Sequence, residues 1–363
     1  MKKNYLLAMM ATAMFAACSQ EATVENGTNE TTDRVAVSLG TEGVPQVKVS
    51  RAPLEQWNNT HVGIFAMAKN TEVAWDLEEG SEACLLNNLE GNIQPTEEAK
   101  APVEWVNGNT YYYPITSTVN YSFYGYYPYV ENVVLNENSV VVNYDETTFN
   151  GTQDILCGYG VANDASSDYK GYNATYLRKV AGDTPSVKFN HQLVRLNVYI
   201  KKGQDADGFK ITGLKFKNAP KTFSIVAADK EVNNVGTITY STDEDNMTSL
   251  NLKSAADETE DASIELADAT EKQLVGYIML PANMLKDGNF EAVIAIAKTD
   301  GTPIYQNQVE ATRTFNVTPP TGKSFVKGAA YNINLTVSGP KEISVDAELG
   351  KWTVGGDSDI DLN

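Results

Sequence analysis

The chain has 363 residues, with 47 acidic against 28 basic side chains and a formal net charge of −19 at pH 7. That balance argues against a nucleic-acid partner, whose phosphates need clustered cations, and a 42% hydrophobic share with 19 Tyr excludes a disordered chain. Two His and three Cys, far apart, leave metal clusters, His-based acid–base chemistry and disulfide-dense miniature folds poorly supplied.

Met1 to Lys3 is a basic head, and Tyr5 to Ala17 is an apolar run ending in Phe15-Ala16-Ala17-Cys18. Thirteen helical residues reach only about 20 Å, short of a ~30 Å hydrocarbon core, so residues 1–17 read as a signal peptide. The small residues before Cys18 resemble a bacterial lipobox, with Phe15 where Leu is usual. Cleavage there leaves Cys18 as a lipidated first residue and takes away two lysines, moving the charge from −19 to −21. Membrane attachment is then by lipid anchor. Residues 19–33 are polar and read as a tether.

The body is expected to be all-β. No stretch of twelve residues holds an apolar period of 3.6, whereas period-2 runs recur between Asn, Asp, Gly and Pro clusters. Strands are expected at Val35-Ala36-Val37-Ser38-Leu39, Val47 to Val49, His61 to Ala68, Val119 to Phe123 and Leu193 to Ile200. Others fall at 211–216, 223–227, 236–240, 274–280, 291–297, 313–317, 331–337 and 343–349. Strands at this spacing with short turns suit sandwiches or partly closed barrels. Leu193 to Ile200 is expected to be half-buried, with Arg195 and Asn197 on its outer face. The polar stretch 241–262 reads as a long loop. Gly182-Asp183-Thr184-Pro185 marks a boundary between a domain at 52–185 and a second at 186–363.

Motifs that would carry chemistry mostly fail on spacing. Thr321-Gly322-Lys323-Ser324 lacks the earlier glycine of a phosphate loop, since Val317 stands in its place. Asp357, Asp359 and Asp361 have calcium-loop spacing without its sixth-position glycine or final glutamate. His61 and His191 sit at the edges of apolar strands and read as structural. Cys84 and Cys157 leave a disulfide open, since their spacing fixes nothing. No catalytic residue, metal ligand or cofactor is assigned, and the chain reads as a non-enzyme. The stretch YYYPITSTVNYSFYGYYPY at 111–129 offers tyrosines that either fill a core or form a glycan platform, for which Tyr124, Tyr126 and Tyr127 are the candidates.

Several segments taken together resemble the fimbrillin family, the lipoprotein pilin precursors of Bacteroides and relatives that build type V pili. Trp105, Tyr111-Tyr112-Tyr113-Pro114 and Tyr121-Ser122-Phe123-Tyr124-Gly125-Tyr126-Tyr127-Pro128-Tyr129 are similar to its Trp, "YYP" and "FYAYYPY" elements. Asp154-Ile155-Leu156, Phe189-Asn190-His191-Gln192-Leu193, Leu280-Pro281-Ala282-Asn283 and Gly328-Ala329-Ala330-Tyr331-Asn332-Ile333 follow in the family's order, and Ile343 to Trp352 with Gly355-Gly356 is similar to its terminal element. The resemblance implies two transthyretin-like β-sandwich domains in tandem. It also implies outward transport of the lipidated precursor and a cut after Arg or Lys in segment 18–51 by a maturation protease. Ser50-Arg51-Ala52-Pro53 stands where that cut is expected, between Arg51 and Ala52. Arg34 and Lys48 compete, and Pro53 departs from an easily cleaved site.

Excision of strand-forming residues 35–49 is expected to open an apolar groove with unpaired backbone groups. The candidate donor strand for a neighbour's groove is 341–363. Ile343, Val345, Ala347 and Leu349 share one face, continued by Ile360 and Leu362. Head-to-tail contacts that do not close give a filament. The partners expected are other copies or related pilin subunits at the cell outer membrane, in a fimbrium supporting adhesion. The subunit's place as shaft, tip or anchor stays open. The alternative is a monomeric surface lipoprotein that binds glycans through exposed aromatic rings.

Overall fold

The computed structural model describes residues 34–42, 57–69, 72–96, 100–115, 118–160, 171–180, 184–257, 259–285, 287–304, 308–338 and 342–350. It is almost entirely β-sheet, as the period-2 patterning requires. The first half contributes β1 (Gly40–Glu42), β2 (Thr60–Ala68), β3 (Cys84–Ile93), β4 (Ala101–Pro102), β5 (Glu104–Trp105), β6 (Tyr121–Tyr127), β7 (Val133–Asn136), β8 (Ser139–Tyr144), β9 (Leu156–Gly160), the short helix α1 (Ala174–Lys179) and β10 (Ser186–His191). Eight of these strands form one sheet in the order β4-β1-β10-β9-β6-β2-β3-β5. Its two end strands, β4 and β5, are separated in sequence by Val103 alone. The sheet therefore curls back on itself around an inner core that includes Val37, Leu39, Ile64, Phe123, Tyr113, Val187 and Phe189.

The second half adds β11 (Val194–Lys202), β12 (Phe209–Pro220), β13 (Phe223–Asp229), β14 (Ile238–Thr239), β15 (Met247–Asn251), β16 (Lys253–Ser254), β17 (Ile264–Glu265), β18 (Gln273–Leu280), β19 (Phe290–Lys298), β20 (Glu310–Val317), β21 (Ala330–Ser338) and β22 (Glu342–Leu349). Two sheets, β16-β18-β11-β21-β22 and β15-β12-β19-β20 with β17 beside β12, enclose a second core. Alternate residues of each strand feed it: Val194, Leu196, Val198 and Ile200 from β11, and Phe290, Ala292, Ile294 and Ile296 from β19.

A third core lies between these two. The outward faces of β2 and β6 (Phe65, Met67, Tyr124, Tyr126) share it with Tyr277, Met279 and Ala330 of the second half. It is flanked by a four-stranded sheet, β14-β13-β8-β7, in which β8 of the first half pairs antiparallel with β13 of the second. The turn signal at 182–185 immediately precedes β10, which pairs with β9 and β1 in the first sheet. Strand β10 therefore lies with the first half, although it falls after residue 185.

Three local expectations differ. Polar stretch 241–262 holds β15 and β16, because Met247 to Asn251 pairs with β12 despite its polar composition. Strand β11 is buried on both faces rather than one. Arg195 and Asn197 are satisfied there by a 2.8 Å bond from Arg195 Nε to Asn197 Oδ1 and by the Tyr277 ring, 5.3 Å from the guanidinium. Cys84 and Cys157 are free and buried. They lie on β3 and β9, three strand spacings (about 14 Å) apart in the sheet, too far for a disulfide.

Candidate functional site

The candidate assembly site is built around the N-terminal segment 34–42. The alternation at Val35 to Leu39 takes the expected form: Val37, Leu39 and Thr41 are buried, at 4%, 3% and 0% exposure, while Ala36 and Ser38 are exposed. The chain enters beside residues 111–113, with Val37 N donating to Tyr111 O (2.8 Å) and Tyr113 N donating to Val35 O (3.0 Å). It then runs as β1 between two neighbours, parallel to β10 with Gly40 opposite Ser186 and antiparallel to β4 with Thr41 opposite Ala101. Thr41 Oγ1 also donates to Ala101 O at 3.2 Å.

Strand β1 is thus the link that joins β4 to β10 and closes the curled sheet. Without it, β4 and β10 would each present an unpaired edge on either side of a slot one strand wide. That slot would be floored by apolar groups that share a core with Val37 and Leu39, among them Ala101, Val103, Tyr113 and Val187. Val37 and Leu39 alone bring about 3–6 kcal/mol of burial, counted as an upper bound.

The candidate donor residues Ile343, Val345, Ala347 and Leu349 lie on β22, which pairs along its whole length with β21, from Ser338 opposite Glu342 to Tyr331 opposite Leu349. Ala347 is buried and Ile343 and Val345 pack half-buried on the second core, whereas Leu349 is 54% exposed. Strand β22 is the outer strand of its sheet, with a single neighbour. The strand that the alternation predicts is therefore present, and within the subunit it completes its own sheet. Cys18, Arg51, Ala52, Ile360 and Leu362 lie outside the described residues.

The tyrosine platform is corrected. Tyr124 and Tyr126 are 0% exposed, and only Tyr127 is partly accessible. Both faces of β6 are covered, one by the first core and one by the third. The buried phenols are satisfied internally: Tyr124 Oη donates to Asp229 O at 2.8 Å, and Tyr126 Oη lies 2.7 Å from Asn88 Oδ1. These rings are core, and no sugar reaches the two buried ones. Of the two readings open for these tyrosines the core one holds for Tyr124 and Tyr126; period 2 could not choose between them, because it assigns one face to solvent and cannot see a second sheet packed there.

The fold defines a class: an all-β protein whose first sheet is closed by a strand from its N-terminal segment. A model of the fimbrillin-like family matches residues 50–352, and the chain belongs to that family. Its role is that of a fimbrial subunit, part of a cell-surface appendage. Among solved structures, a candidate cell adhesion protein from Bacteroides uniformis is similar over 89% of this chain and 99% of its own, at 17% identity and a TM-score of 0.51, which is a likeness of fold. The fimbrial anchor protein Mfa2 of Porphyromonas gingivalis aligns over 88% of this chain and 99% of its own, at 6% identity and a TM-score of 0.38. The C-terminally truncated tip fimbrial protein Mfa3 of the same organism aligns over 88% and 100%, at 9% and 0.39. No curated protein matches the chain.

Proposed function

We propose that this fimbrial subunit is exported as a lipoprotein anchored through Cys18 in the outer membrane, cut between Arg51 and Ala52, and joined head to tail by strand exchange. The observation that carries the reading is the position of β1 (Gly40–Glu42) as a strand inserted between β4 and β10, with residues 34–39 leading into it beside residues 111–113. A cut after Arg51 lies beyond this strand, so it frees the whole segment to leave. A cut after Arg34 would spare it and keep the slot filled. The donor is the C-terminal segment 341–363. Its outer strand has a single ladder to give up, and its apolar residues repeat the every-second-position spacing of Val37 and Leu39.

The test is an Arg51→Ala chain beside the wild type in the native cell. Surface material should begin at Ala52 by mass spectrometry and run as ladders in unboiled gels, and the variant should stay untrimmed and monomeric. Polymer of wild-type level from the untrimmed variant would overturn the reading. Deleting 351–363 leaves β22 in its sheet and tests the end of the donor segment: loss of ladders with an unchanged melting temperature supports donation, and undiminished ladders confine any donor to residues 342–350.

A further inference from the structure

A cleft of about 430 Å³ opens on the shared sheet where β8, β13 and β14 end together. Three polar residues stand abreast across it, because the register places Asn143 opposite Ser224 and Ser224 opposite Thr239. Ser224 Oγ donates to Asn143 Oδ1 at 2.7 Å, which fixes the carboxamide and commits its oxygen. Its NH₂ group, the Thr239 hydroxyl and the Tyr240 phenol hold no hydrogen bond among the described residues. Asp145 borders the cleft with its Oδ1 occupied by Thr147 and Thr148, which locks that loop and leaves Oδ2 as an acceptor. Beneath, Tyr144 and Phe223 stack at 5.3 Å and 30°, so the base is preformed.

We infer that this cleft is a binding site for a neutral sugar residue of a glycan. Its volume falls within the ~300–1,000 Å³ of ordinary small-ligand sites. No Lys or Arg lines it, and Asp145 does, so phosphate, sulfate and carboxylate ligands are disfavoured. What remains is a row of amide and hydroxyl groups able both to donate and to accept, beside a half-buried tyrosine ring. Adjacent hydroxyls of a pyranose match that row, and its C–H face matches the ring. The cleft is built without residues 34–42 or 342–349, so the site stands or falls independently of strand exchange. Precursor and trimmed chain are expected to bind alike.

The experiment is saturation-transfer NMR on the full chain with galactose, mannose, fucose and N-acetylglucosamine as separate probes. Transfer to at least one sugar is expected, weakened about tenfold in Asn143→Ala and in Tyr240→Ala by the loss of one contact each. An unchanged melting temperature shows that the variant is folded. If Tyr240→Ala fails to fold, Thr239→Val gives the same reading. No transfer to any of the four sugars, or transfer equal in wild type and folded variants, would overturn the site.

Discussion

The amide of Val103 donates to the carbonyl of Leu39 at 2.9 Å, tying the N-terminal segment to the single residue that separates β4 from β5. The closure of the first sheet therefore depends on a strand that belongs to the part of the chain lying before Arg51. Under the proposed cut, stability in this half would have two components, one that stays and one that leaves with the segment.

Substituting Leu39 separates them. Leu39→Ala removes a side chain that is 3% exposed, and cavity formation in such a site costs about 2–5 kcal/mol. The loss is expected in the untrimmed chain only, read as a lower urea midpoint. In a chain beginning at Ala52 the substitution is absent from the molecule. If untrimmed Leu39→Ala melts like the untrimmed wild type, segment 34–42 is not held as described.

Gly63 and Tyr126 face each other across β2 and β6. A Cβ at Gly63 would lie 2.1 Å from the Tyr126 ring, whose hydroxyl is held near Asn88 and Val130 and leaves no room to retreat. Gly63→Val is expected to cost about 1–3 kcal/mol or more through overpacking. Gly63→Val combined with Tyr126→Ala should recover part of that loss, measured by a double-mutant cycle in urea. Strict additivity would show that the ring is not the obstacle.

Asp154, just before β9, and His191, the last residue of β10, meet at 2.6 Å between Oδ2 and Nδ1 with both side chains buried. Two segments that look like separate motifs in the sequence thus form one buried pair. Asp154→Ala strands the imidazole in the core and is expected to cost about 2–4 kcal/mol, with Asp154→Asn costing less because an acceptor survives. Equal losses in the two variants would assign the pair's value to charge rather than to the hydrogen bond.

The sequence was legible where one face of a strand meets solvent. Segment 34–42 alternates cleanly because Ala36 and Ser38 point outward, and β22 alternates because it is an outer strand. It was not legible where both faces are covered. Cys84–Ile93, a ten-residue strand, shows no alternation because both of its faces carry buried residues, and for the same reason period 2 left Tyr124 and Tyr126 open between core and surface. The cleft at Asn143 was invisible because its row is assembled from three strands far apart in sequence, and only the register brings Asn143, Ser224 and Thr239 abreast.

The two buried thiols give the last prediction. Burial, with Asp76 and Glu79 nearby, pushes the Cys84 thiol from an ordinary 9.0 up to about 12, and burial pushes Cys157 upward as well, against a smaller opposing effect from Lys327. The folded chain therefore keeps these protons at pH values where the unfolded chain releases them. Their contribution to stability is complete below the unfolded thiol value, near 9, and is lost as pH rises toward the folded value, by about 1.4 kcal/mol per pH unit for each thiol. A Cys84→Ala, Cys157→Ala chain loses that slope and pays instead a fixed cavity cost at every pH. Urea midpoints at neutral pH and near pH 10 should thus fall more steeply in the wild type than in the double variant. In the native state at pH 8 a thiol reagent should label neither cysteine, whereas in urea both should react. Prompt labelling of the folded protein, or parallel pH slopes in the two chains, would mean that the thiols ionise without unfolding.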